Sequence, residues 1–221
     1  MAKVFIGVGH GGSDPGAVAN GTKEKDLNLS IALACQVELE RHGVEVRMSR
    51  TKDENDPLSE EIRECNAYGP TFAVDIHNNA GGGDGGEVFY HHGGGKGKTL
   101  AENILAEMVK VGQNSRGIKT RVNSQGKDYY AFIRNTSCPA VIVECAFVDN
   151  ATDLQIVATE DKRKAMGIAI AKGILKSVGV AYQAEKGYWK VQVGACLYKE
   201  SAEALQKKIK AVGFDAFIVK E

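Results

Sequence analysis

The chain has 221 residues, 28 Lys and Arg against 28 Asp and Glu, and a hydrophobic share of 43%. That length and share support one full domain with a small addition and exclude a disordered chain. A formal net charge of zero argues against a nucleic-acid binder and offers nothing polybasic to a membrane surface; no window approaches the roughly 20 apolar residues of a spanning helix.

The opening stretch, MAKVFIGVGH, has a single Lys, a short apolar run and no small-residue cleavage site. No signal peptide is evident, which predicts a chain made in the cytoplasm. Cys35, Cys65, Cys138, Cys145 and Cys196 have no paired spacing and fit reduced thiols acting as small buried hydrophobes. Without a C-x-x-C there is no basis for a cysteine zinc site.

In chain order, residues 4–8 read as a buried strand that opens into a glycine loop at His10. A helix is expected over 25–42, with Leu27, Ile31, Ala34 and Glu38 on one edge and Leu29, Leu33 and Val37 beside it, stopped by Gly43. Residues 44–48 alternate as a half-buried or edge strand. Asp56-Pro57 should cap and start a helix running to about Tyr68. Residues 72–77 form a second buried strand, followed by the flexible GGGDGG loop, a strand over 87–91 and a helix over 98–111. The polar stretch 113–129 is too long for a simple connection and reads as a functional loop. A third buried strand covers 140–144, and a helix over 160–178 closes the first domain, with Met166, Ile170 and Ile174 at fourfold spacing. The expected organisation is a catalytic domain over 1–180, a linker over 181–187, and a strand–helix–strand unit over 188–221, with strands at 188–195 and 214–219 around a helical stripe of Ala202, Leu205, Ile209 and Val212. That last unit, at about 35 residues, buries too little surface to be stable alone.

Three apolar runs end on groups that can bind metal or move a proton: His10, His77 and Glu144. In an α/β sheet, sites form outside the carboxyl ends of parallel strands, so these three should converge on one crevice. A catalytic zinc needs a third ligand and an open position, and Glu24, just before the first long helix, is the best local candidate. Taken singly each residue also fits an ordinary role: a hydrogen-bonding histidine, or a first-turn carboxylate favoured by the helix dipole. Gly7–Gly12 is formally G-x-G-x-x-G, but turn formers follow where a helix should begin, so a dinucleotide site fails on context. A thiol hydrolase built on Cys138 or Cys145 is disfavoured, since Cys145 points to the face opposite Glu144.

The segments GHGGSDPGA (9–17), KEKDLNLSIA (23–32), SRT (49–51), DIHNNA (75–80) and AVIVECAFVDN (140–150) resemble the zinc-dependent N-acetylmuramoyl-L-alanine amidases of the Amidase_3 type, in the family's order. The resemblance implies an α/β fold with a twisted, mostly parallel sheet flanked by helices. It also implies zinc held by His10, Glu24 and His77, Glu144 as the catalytic carboxylate, and cleavage of the bond between N-acetylmuramic acid and L-alanine in peptidoglycan. Asp75 and Cys145 depart from the family's usual Ser and Gly. Residues 188–221 resemble one half of a sporulation-related (SPOR) repeat module, which predicts a wall-binding half-module or a homodimer paired through 188–221. With no export segment evident, the expected setting is a phage endolysin that reaches the wall after release, or alternatively a host autolysin or mother-cell lytic amidase. A zinc carboxypeptidase acting on wall peptides is the other alternative.

Overall fold

A computed structural model describes residues 2–184 and 193–219. The chain divides into two compact units, 1–183 and 184–221. In the first, β1 (Lys3–Val8) leads through a small hairpin, β2 (Val18–Ala19) and β3 (Thr22–Lys23), into α1 (Glu24–Arg41). There follow β4 (Glu45–Met48), α2 (Leu58–Tyr68), β5 (Phe72–Asn79), β6 (Gly86–Tyr90), α3 (Lys96–Lys110) and β7 (Ser115–Lys119). α4 (Ala131–Asn135), β8 (Ala140–Phe147), α5 (Ala151–Leu154) and α6 (Glu160–Val178) complete it. The six-stranded sheet has the order β4-β1-β5-β8-β6-β7. β4, β1, β5 and β8 are mutually parallel, while β6 runs antiparallel to β8 and parallel to β7. The expected mostly parallel α/β sheet is the one found.

Alternation along the strands makes two faces. Val4, Ile6 and Val8, then Val74 and Ile76, then Val141, Val143 and Cys145 pack with α1, α3 and α6. Phe5, Ala73, Ala140 and Ile142 face the other way, onto Cys65 of α2 and Phe132 and Ile133 of α4. On that second face the same alternation carries Asp75, His77 and Glu144 toward the carboxyl ends of β5 and β8. β5 and β8 are thus apolar at their starts and carry these polar groups further along, running on past His77 and Glu144 to Asn79 and Phe147.

α6 packs against both α1 and α3, and small residues set the approach. A Cβ on Gly167 would lie 2.4 Å from the Ile31 carbonyl oxygen, and one on Gly173 2.5 Å from Ile104 Cα. The helix begins at Thr159, whose side chain accepts from Lys162 N, with Glu160 and Asp161 in the first turn, and ends at left-handed Gly179.

Several expectations are corrected. The buried side of α1 carries Leu27, Asn28, Ile31, Ala32, Cys35 and Leu39, while Val37 is 65% exposed; the helix is rotated so that Glu24 and Asn28 face the strand ends. Pro57, not Asp56, stands at the N-cap of α2, with no side-chain cap. The stretch 113–129 contains β7, an edge strand whose polar sequence gives little apolar alternation to read. In the second unit α7 (Lys199–Ala211) forms as expected, with Gln206 Nε2 donating to the Ala216 carbonyl at 2.8 Å. Residues 214–219 form no strand. A strand needs a ladder, and most of the expected partner, 188–195, lies outside the described residues. Among the described residues no helix is long and apolar enough to cross a membrane.

Gly173→Ala tests the helix contact. Alanine gains up to about 1 kcal/mol of helix propensity over glycine, but here the methyl meets backbone that cannot swing away. We expect a net loss of about 1–3 kcal/mol in denaturant unfolding; a stabilised variant would refute the packing.

Candidate active site

Just past β1 the chain turns at His10, which has φ 64°, a left-handed conformation that costs a non-glycine residue about 1–2 kcal/mol. The turn is over-determined by its surroundings, as strained functional positions must be. Arg50, buried, donates to the carbonyls of Val8 (3.1 Å), Gly9 (3.3 Å) and Lys25 (2.9 Å), and Val8 N donates to Ser49 Oγ. The Ser-Arg of the SRT segment therefore clamps the strand end to the start of α1.

Glu24, the first residue of α1, lies 4% exposed between the two histidines. His10 Nε2 is 3.2 Å from its Oε2, and His77 Nδ1 is 2.9 Å from its Oε1. The imidazoles meet edge to face with centroids 5.1 Å apart. Each ring is oriented by a further carboxylate on its other nitrogen: Asp14 Oδ2 at 2.8 Å from His10 Nδ1, and Asp75 Oδ2 at 3.2 Å from His77 Nε2. Glu24 is itself held by Ala17 N, Asn28 Nδ2 and Asn78 N. Burial works against its charge, yet the hydrogen bonds with His10 and His77 outweigh that and hold the carboxyl well below the usual range. Its hydrogen bond raises the pKa of His10; burial lowers that of His77, but Asp75 and Glu24 more than reverse the effect.

The donor atoms of His10, Glu24 and His77 lie within 4.8 Å of one another. Two imidazoles and one carboxylate at that spacing, with carboxylates behind the rings, suit a zinc ion with one position left open. No glycine substitute fits here: a Cβ on Gly9 would fall 2.2 Å from His77 Cε1, and one on Gly16 2.6 Å from both Glu24 Oε2 and His10 Cδ2.

Glu144 is the register partner of His77 across β5 and β8, one strand spacing away at about 4.8 Å between backbones. Its Oε2 is buried without a hydrogen-bond partner, and burial pushes its carboxyl up to about 7. The structure thus brings His10, Glu24 and His77 into mutual contact, with Glu144 beside them. Cys145 points into the opposite core and is free, like the other cysteines. Asn78 is buried and bonds Asn28, while Arg134 donates to the carbonyls of Asp128 and Tyr129. Sequence reasoning missed Asp14, Asn28 and Arg50; the Asp14-Pro15-Gly16 turn and the SRT segment were the visible signals for Asp14 and Arg50. Behind Asp75, Glu61 is buried, and burial followed by the charges of Asp75 and Asp56 raises its carboxyl well above the usual range.

The architecture is that of an α/β enzyme with a site at the carboxyl ends of parallel strands. Residues 4–176 match the N-acetylmuramoyl-L-alanine amidase family, and residues 154–220 match the SPOR domain. The chain is 34% identical to the sporulation-specific N-acetylmuramoyl-L-alanine amidase of Bacillus subtilis, over 99% of this chain and 85% of that one. It is 36% identical to the N-acetylmuramoyl-L-alanine amidase CwlM of Bacillus licheniformis, with the same shares covered. The catalytic domain of CwlV from Bacillus (Paenibacillus) polymyxa superposes with a TM-score of 0.74 at 28% identity, over 82% of this chain and all of that domain. The chain belongs to the N-acetylmuramoyl-L-alanine amidase family.

Gly16→Ala probes the site without reference to any metal. The left-handed φ of 64° alone costs alanine about 1–2 kcal/mol, and the methyl also displaces Glu24 or His10. We expect a loss of that size in unfolding free energy together with shifted His10 ring resonances. Unchanged stability and resonances would contradict the geometry.

Proposed function

We propose that the chain hydrolyses the amide joining the lactyl group of N-acetylmuramic acid to L-alanine in peptidoglycan, with His10, Glu24 and His77 as zinc ligands and Glu144 as the proton-transfer residue. The observation that carries this reading is the Glu24 carboxylate facing one imidazole on each oxygen, with the unpartnered Glu144 acid alongside. Zinc bound there supplies a Lewis acid that brings the pKa of water down to about 7 and polarises a carbonyl. Asp14 and Asp75 fix which ring nitrogens turn inward, Nε2 of His10 and Nδ1 of His77. Glu144 accepts the proton of the attacking water and returns it to the departing alanine nitrogen, so the amine leaves neutral. Its Oε2, buried without a hydrogen-bond partner, is the atom left open to take that proton.

For the biological setting, we infer a lytic amidase that reaches the wall on release, of the endolysin or mother-cell kind. A similarity to a sporulation-specific amidase that runs through 99% of the chain supports the mother-cell form. For the second unit, we infer pairing of two chains through 188–221. Leu197, Phe214 and Val219 are 97%, 70% and 65% exposed, an apolar surface that a unit this small has no core to absorb. Sedimentation should give a dimer mass for the full chain and a monomer mass for a Leu197→Asp/Phe214→Asp variant; a monomeric wild type would refute the pairing.

Glu144→Ala should retain zinc and lose turnover on purified walls by about a hundred-fold or more, whereas His10→Ala or His77→Ala should lose the ion held between His10, Glu24 and His77. Removing the metal with a chelator should abolish activity, and added zinc should restore it. Mass spectrometry of the digest should show free L-alanine amino termini on intact stem peptides. Release of a terminal amino acid instead would favour a carboxypeptidase, and near wild-type activity in Glu144→Ala would overturn its role.

A further inference from the structure

A second group of metal-ligating side chains stands away from the active site. His91 and His92 follow β6 directly. Tyr90 pairs with Val141 near the start of β8, whereas Glu87 pairs with Glu144 near its end. The histidines therefore sit at the end of the sheet opposite Glu144. Facing them is Asp128, 36 residues on in the chain, in the loop that an isolated bridge between Val122 and Asp128 folds back on itself. His91 Nε2 and His92 Nδ1 both lie 3.0 Å from the same oxygen, Asp128 Oδ2. The two rings stack with centroids 4.6 Å apart. His92 N donates to Asp128 Oδ1 at 2.9 Å.

The burial is uneven in an informative way. The Asp128 side chain is 3% exposed, while those of His91 and His92 are 51% and 41% exposed. A buried carboxylate is costly unless it is paired or coordinates a metal. Among the described residues, the ion-pair partners of Asp128 are the two imidazoles; Arg134 spends its Nη1 on the backbone carbonyls of Asp128 and Tyr129. We propose that His91, His92 and Asp128 form a second metal site, which binds a divalent transition-metal ion and fastens the 120–130 loop to the end of β6.

The donor set decides the ion. Two imidazoles and one carboxylate suit zinc and its first-row neighbours, whereas calcium and magnesium require shells of oxygens that these residues do not provide. The donor atoms lie within 4.8 Å of one another. Ligands about 2.0–2.1 Å from a tetrahedral ion stand about 3.3 Å apart, so the 3.0 Å nitrogen–oxygen separations open only slightly to admit it. Metal at His91 Nε2 moves that ring's proton to Nδ1, which displaces the hydrogen bond from Gly93 N; that bond is solvent-exposed and water replaces it. The exposed histidine edges leave the remaining coordination positions to solvent.

The test uses the full chain, stripped with a chelator and titrated with zinc chloride by calorimetry, with bound zinc quantified after desalting. The wild type should take up two equivalents. His91→Ala/His92→Ala should take up one and hydrolyse walls at close to the wild-type rate, since both side chains are exposed and remote from Glu144. His10→Ala/His77→Ala should also take up one, and the combined variant none. Asp128→Asn, which keeps the shape but removes the charge, should weaken the second equivalent at least ten-fold. One equivalent in the wild type that His10→Ala/His77→Ala abolishes would overturn the proposal, as would two equivalents surviving in His91→Ala/His92→Ala. Uptake that persists in His10→Ala/His77→Ala but vanishes in His91→Ala/His92→Ala would uphold this site whatever the fate of the catalytic one.

Discussion

The Glu24 carboxylate, buried and gripped on one oxygen by His10 and on the other by His77, is the contact on which the structure turns. A charge in that position is tolerable only because every surrounding group is placed to receive it. Ala17 N donates to it from the loop after β1, Asn78 N from the end of β5, and Asn28 from one turn further along the same helix. That requirement fixes the rotation of α1 about its own axis. It also explains why polar Asn28 rather than another leucine faces the sheet.

Holding the first residue of α1 against two strand ends demands rigidity behind it. The α6 helix supplies part of this through Gly167, which lets its backbone approach Ile31 and Cys35 of α1 more closely than any side chain would permit. Arg50 supplies another part, joining the end of β1 to the first turn of α1 by hydrogen bonds to carbonyls. The parallel register of β5 and β8 then sets Glu144 beside His77. Strand alternation sends Cys145 to the far side, so Glu144 and the neighbouring thiol lie on opposite faces of the sheet.

What could be read from the sequence follows the range of the interactions. Strands β1, β5 and β8 were legible because each begins as an apolar run leading to a polar group, although β5 and β8 run on to Asn79 and Phe147, and α6 because of the fourfold spacing of Met166, Ile170 and Ile174. That His10, His77 and Glu144 gather in one place was legible from the same strand ends, and Glu24 from its place just before the first long helix. Asp14 and Asp75, which orient the rings, sit only a few residues from the histidines, yet nothing local distinguishes them from turn or core acids. Arg50 reaches Gly9 across 41 positions and Asp128 meets His92 across 36, separations no local pattern encodes. The edge strand β7 and the side of α1 that is buried were misread because both are polar where the site or solvent, rather than the core, sets the composition.

The claim beneath all of this is that His10, Glu24 and His77 close around one metal ion. Crystals of the full chain grown with zinc and measured on both sides of the zinc absorption edge test it directly. The account predicts an anomalous peak between His10 Nε2, Glu24 and His77 Nδ1, at about 2.0–2.2 Å from each. Full-occupancy density for the three side chains with no anomalous peak among them would contradict it.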